Sequence, residues 1–179
     1  MGRDKATLAV GGEFLWERQL RLLREVRPEV VAVSARSRPR WCPADVAVIL
    51  DGRPSRGPLS GLAKGLAGLR TTHLLALAVD MPRITAGRLR ALLARARPGR
   101  GVMPVRDGRP EGLCAIYPVE AAGLARARLK GGDVSLRAFA QELAEQGMME
   151  YVEVGWRETV AYSNINTPEE FEEALRKTR

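Results

Sequence analysis

Histidine is almost missing from this chain: His73 is the only one among 179 residues. That excludes a histidine-rich metal site, and no Ser-His-Asp or Cys-His constellation for nucleophilic catalysis can be drawn around it. Cysteine is nearly as scarce. Cys42 and Cys114 follow no paired spacing, so both are expected to be buried thiols packing as small hydrophobes. Long apolar runs are missing too. Stretches such as residues 74–79 are far too short to span a bilayer, and no charged segment followed by an apolar one opens the chain as a signal. A soluble, cytoplasmic protein without a membrane partner is the expectation. Aromatic residues, the platforms on which bases stack, make up only 5%.

Positive charge is plentiful. The formal net charge is +8, and 25 of the 29 basic residues are arginine. Such a balance suits anionic partners, either nucleic acid or phosphorylated small molecules. The arginines are scattered along predicted helices (Arg18, Arg21, Arg24; Arg88, Arg90, Arg95, Arg97) and are not gathered into one arm. With so few aromatics, nucleic acid is not the expected partner.

At 45% hydrophobic residues, a chain of this length can bury one full core, so a single domain is expected. Residues 14–26 carry Trp16, Leu20 and Leu23 at helical spacing, and Pro28 closes that helix. Strands are expected at 30–34 and 46–50, a helix at 59–69, a strand at 74–79 and a helix at 85–97. The second half reads as strands at 102–105 and 113–117 around the turn Arg106-Asp107-Gly108-Arg109. Helices at 120–129 and 135–146, a strand at 151–154 and a last helix from Pro168 follow. The strands are continuous apolar runs, which indicates burial on both faces by the intervening helices. The fold class is therefore α/β: a Rossmann-like, three-layer arrangement with a mixed, mainly parallel sheet and helices on both faces.

In such sheets ligands bind beyond the carboxyl ends of the strands, which singles out three loops. Asp80-Met81-Pro82 ends the most hydrophobic strand, and an Asp there can hold Mg²⁺ against phosphate oxygens or simply cap a turn. Gly57-Pro58-Leu59-Ser60-Gly61, after Asp51, sits where a strand enters a helix; its glycines let backbone approach a ligand, or merely form a turn. It is not a Walker A loop, since Lys64 is followed by Gly65. In Asn164-Ile165-Asn166-Thr167-Pro168, the trio Thr167, Pro168 and Glu170 reads as a capping box with Pro at the first helical position. Asn164 and Asn166, two apart, would point to the same side of an extended segment.

These segments, with Met1-Gly2-Arg3-Asp4-Lys5, occur together and in this order in a known family. The chain resembles the molybdenum cofactor guanylyltransferases, relatives of the sugar-phosphate nucleotidyltransferases, over essentially its whole length. The resemblance implies transfer of GMP from GTP to molybdopterin with release of pyrophosphate. It implies Lys5 on the phosphates, Asp80 as the Mg²⁺ ligand, Asp51 on the guanine, and Gly57 and Gly61 under the guanine edge. Asn164 and Asn166 fall on the pterin side. Cofactor-biosynthesis or acceptor proteins are the further partners it suggests. Ser34 departs from the asparagine that relatives often carry near the nucleotide. The alternatives are a relative using CTP or a sugar phosphate, and a catalytically impaired nucleotide-binding or RNA-binding protein. The family also places a strand and a glycine-rich loop ahead of the Met-Gly-x-Asp-Lys segment. Residues 1–179 thus read as one nucleotidyltransferase domain without that strand and loop, expected to be weakly active.

Overall fold

The buried side of α1 (Leu15–Val26) is set by Leu15, Leu20 and Leu22, joined by one polar residue, Gln19. Glu17 closes its first turn by accepting the Phe14 N–H at 3.1 Å, and Arg27 ends it in the left-handed region. The computed structural model of the chain describes residues 4–52, 56–165 and 170–171. Ahead of α1 lie a single 3-10 turn at Lys5–Thr7 and a small antiparallel hairpin, β1 (Ala9–Val10) and β2 (Glu13–Phe14). The apolar run after the charged opening therefore forms a hairpin across Gly11-Gly12, an element the sequence reading did not anticipate.

After α1 come β3 (Ala32–Ala35), β4 (Ala47–Leu50), α2 (Pro58–Ala67), β5 (His73–Leu77) and α3 (Ala86–Leu93). The second half supplies β6 (Gly101–Arg106), β7 (Arg109–Pro110), β8 (Cys114–Pro118), α4 (Ala121–Lys130), α5 (Leu136–Glu145) and β9 (Met149–Glu153). The helix expected over 85–97 stops at Leu93, because the chain turns at Pro98-Gly99 and Arg97 bridges to Arg100. Thr85 caps its start, accepting from the Arg88 N–H at 3.4 Å. The capping-box residues Thr167 and Pro168, and Asn166, lie outside the described residues.

Strands β3 and β4 pair in parallel, Ala32 opposite Ala47. A second sheet runs β5, β8, β6, with β9 parallel to β6 and β7 antiparallel to it. Since β8 opposes both β5 and β6, three strands of that sheet share one direction. Side chains alternate between its faces. Leu74, Ala76, Ala115, Tyr117 and Met103 pack against α2, α4 and α5. Leu75, Leu77, Cys114, Ile116 and Val102 pack against residues of α1 and α3. The three-layer α/β expectation holds.

Both flanking helices span the two sheets. Leu20 of α1 packs on Val31, Val33 and Val48, whereas Leu22 packs in the cluster holding Leu75 and Leu77. On the other face, a Cβ at Gly65 of α2 would stand 2.7 Å from Leu74 of β5 and 3.6 Å from Ile49 of β4. The parallel pair and the larger sheet are therefore two parts of one layer. Among the described residues β3 pairs only with β4, and β5 only with β8.

Candidate active site

Asp80 stands in a turn just beyond β5, whose apolar run carries the chain to the sheet's rim. Its carboxylate meets the Lys5 ammonium at 3.0 Å across 75 positions of sequence. The two side chains are 18% and 34% exposed, so the pair is shielded yet reachable from solvent. Asp4 fixes the neighbouring backbone of Lys5. One of its oxygens accepts from the Ala6 N–H at 3.1 Å and caps the 3-10 turn, while the other accepts from the Trp41 indole at 2.8 Å. Trp41 in turn stacks on Trp16 of α1 at 5.5 Å.

The segment holding Asn164 reaches the same turn. The Ile165 N–H donates to the Asp80 carbonyl at 2.8 Å. Next to it, Arg83 donates to the Ser163 hydroxyl at 3.1 Å. Ile165 is buried with Val10, Leu15 and Val79, which anchors this stretch. Among the described residues the buried Asn164 Oδ1 and the Arg83 Nη2 have no hydrogen-bond partner. Unpartnered buried polar atoms are uncommon, and one on each side of this junction marks it as polar and under-satisfied.

A second cluster forms at the carboxyl ends of β3 and β4. Ser34 donates to Asp51 Oδ1 at 3.2 Å, and Gly61 of α2 lies directly against them. A Cβ at Gly61 would fall 2.0 Å from Ser34 Oγ and 3.1 Å from Asp51 Oδ1. Glycine is needed there because the helix backbone touches the two side chains. Gly57 precedes α2 with φ +77°, a conformation that admits few other residues. The loop is then tied down: the Arg56 N–H donates to Ser60 Oγ at 2.9 Å, and its guanidinium donates to the carbonyls of Leu129 and, at 3.0 Å, Gly131. Lys64 donates to the Leu50 carbonyl at 2.5 Å, so its ammonium serves the fold.

No nucleophile stands out among the described residues. Cys114 is fully buried and desolvation pushes its thiol up to about 12. His73 packs its ring against Thr72 Oγ1 at 3.0 Å and the Arg97 carbonyl at 2.9 Å, a structural role. No group of three or more His, Cys, Asp or Glu side chains gathers as a metal cage among the described residues. Of the residues selected from sequence, Lys5 and Asp80 meet, as do Asp51 and Gly61, and Asn164 adjoins the Asp80 turn. Gln19, Trp41 and Arg56 were missed; Gln19, four residues after Leu15, lies on the buried face of α1.

A family model of the MobA-like NTP transferase domain matches residues 1–147. The chain belongs to that family. It is 36% identical to a probable molybdenum cofactor guanylyltransferase of Opitutus terrae, over 99% of this chain and 89% of the relative. Among solved structures it is similar to molybdopterin-guanine dinucleotide biosynthesis protein A of Archaeoglobus fulgidus. There the TM-score is 0.74 with 21% identity over 98% of this chain and 91% of that one. It is also similar to Rv0371c of Mycobacterium tuberculosis, solved in complex with manganese, with TM-score 0.64 and 16% identity over 98% and 93%. These two similarities carry the fold, that of MobA-like nucleotidyltransferases.

Proposed function

We propose that the chain transfers GMP from GTP to molybdopterin. The observation that carries the reading is the Lys5–Asp80 pair at the carboxyl rim of β5, brought together across 75 positions of sequence. The name borne by the Opitutus terrae relative supports both substrates.

The reaction joins an oxygen of the acceptor's terminal phosphate to the α-phosphorus of GTP. The bond from that phosphorus to the bridging oxygen breaks, and its electron pair leaves with pyrophosphate. Chemistry of this kind needs positioning and charge neutralisation more than a protein nucleophile. Lys5 supplies a mobile positive charge for the phosphate oxygens. Asp80 is the residue that would hold Mg²⁺. One carboxylate without a surrounding cage suits that ion, which takes one or two carboxylates and completes its shell with water and phosphate oxygens. The Lys5 ammonium already resting on Asp80 marks the position as one that favours a cation. When bound, Mg²⁺ supplies neutralisation of the triphosphate. Asp51, oriented by Ser34, accepts guanine N–H groups, and Gly57 and Gly61 leave room for the base edge against backbone. Asn164 and Asn166 serve the pterin side. Location in the cytoplasm, and contact with cofactor-biosynthesis or acceptor proteins, belong to the same proposal; no helix among the described residues is long and apolar enough to cross a membrane.

The test is D80N in a GTP-to-pterin transfer assay, with turnover expected to fall by about 100-fold or more. Unchanged turnover and unchanged cation dependence overturn the reading. GTP with Mg²⁺ raises the melting temperature more than CTP does; the reverse order moves the substrate to CTP.

A further inference from the structure

We propose that Gln19 of α1 is a positioning residue that holds the Asp80 turn in its cation-binding shape. The inference rests on the reading of Asp80 given above and adds a residue to it.

Gln19 is 5% exposed, the one polar side chain on the buried face of α1. Its Nε2 donates to the Met81 carbonyl at 2.8 Å and leans on the Val79 carbonyl at 3.5 Å. Those carbonyls flank Asp80 on both sides. The preceding residue of α1, Arg18, donates from Nε to the Pro82 carbonyl at 2.5 Å. With Ile165 on the Asp80 carbonyl, every carbonyl from 79 to 82 points at a donor from a distant part of the chain. Within the turn the Ile84 N–H also reaches the Met81 carbonyl, at a longer 3.4 Å, so these distant donors supply most of what fixes its backbone. Met81, fully buried, pins it from beneath.

The amide is costly where it stands. Its Oε1 is buried without a partner among the described residues, a burden that an apolar side chain of similar length would not bring. What only the amide provides is a pair of N–H groups aimed at the two carbonyls around Asp80. A carboxylate that binds a cation depends strongly on its backbone being held, and loss of such support lowers metal affinity by about 10–100-fold.

The experiment measures Mn²⁺ binding in the presence of GTP, by the water-proton relaxation enhancement that protein-bound Mn²⁺ gives over Mn²⁺ and GTP alone, for wild type, D80N, Q19L and Q19E. In Q19L the dissociation constant of Mn²⁺ rises about tenfold. Hydrogen exchange of the amides at 78–84 accelerates in the same variant, with the helical amides of α3 unchanged. Q19E keeps the side chain's size. Its carboxyl can donate one hydrogen bond only when protonated, so its Mn²⁺ affinity falls further below that of wild type as pH rises. This pH dependence distinguishes positioning from simple packing, and it serves equally if Q19L fails to fold. If wild type binds Mn²⁺ with GTP and D80N binds as well as wild type, the reading of Asp80 falls. If D80N loses binding while Q19L and Q19E match wild type in affinity and pH dependence, only the role of Gln19 is overturned.

Discussion

Alanine at position 61 separates binding from stability in a way the geometry makes specific. A helical Gly→Ala change is favourable by about 1 kcal/mol where space allows. Here the added methyl would lie 2.0 Å from Ser34 Oγ and 3.1 Å from Ser34 Cβ. No pair of atoms tolerates the shorter distance, so the exposed hydroxyl must rotate away and abandon its 3.2 Å bond to Asp51. A hydrogen bond to a charged acceptor contributes about 1.5–3 kcal/mol, with an exposed one near the lower figure. Gain and loss nearly cancel, and G61A should unfold in urea within about 1 kcal/mol of wild type. Asp51, however, loses the group that aims it, so GTP binding measured by calorimetry should weaken about tenfold, or about 1.4 kcal/mol. S34A breaks the same contact from the other side. The double variant should therefore cost no more than either single change, with a coupling of about 1 kcal/mol. G65A is the control on the same helix. Its new methyl meets Leu74 at 2.7 Å inside the core and should cost about 1–3 kcal/mol of stability while leaving GTP affinity unchanged. Wild-type GTP affinity in G61A, or strict additivity with S34A, would refute the reasoning.

Two further outcomes follow from contacts near the amino terminus. Hydrogen bonding from Arg21 holds the Glu13 carboxyl below its ordinary value of 4.5, so the unfolded chain takes up that proton at a higher pH than the folded one. The pair's contribution is then present above about pH 5 and is lost as pH falls through the lowered folded value. Urea midpoints of wild type and E13Q should differ near about pH 6 and converge near about pH 3; a constant difference rejects the assignment. D4A removes both the cap of the 3-10 turn and the acceptor for the Trp41 indole. It should cost about 1–2 kcal/mol and shift tryptophan emission, and an unaltered spectrum and melting curve would contradict that role.

The layer order was legible because apolar runs of strand length between amphipathic helices admit few other arrangements, and β6 and β8 are indeed buried along nearly their whole length. Boundaries were less so. Residues 94–97 continue a helical pattern, but a local turn closed by the Arg97–Arg100 bridge overrides it. Asp51, Gly57, Gly61, Asp80 and Asn164 could be chosen from the loops that follow predicted strands, since a polar stretch after a buried run is conspicuous in one dimension, whereas Lys5 came only with the family resemblance. Gln19 was not conspicuous, because its neighbours make a plausible apolar helix face whatever that residue does.

The order of α and β segments, the near-absence of histidine and cysteine chemistry, and the loops on the sheet's rim follow from local pattern alone. They depend on residues close together in the chain. That Lys5 lies on Asp80, that Ser34 and Gly61 enclose Asp51, and that α1 reaches the carbonyls around Asp80 depend on how the layers stack. Such contacts join residues from 10 to 75 positions apart, and no local periodicity encodes which of many distant donors a given carbonyl will meet.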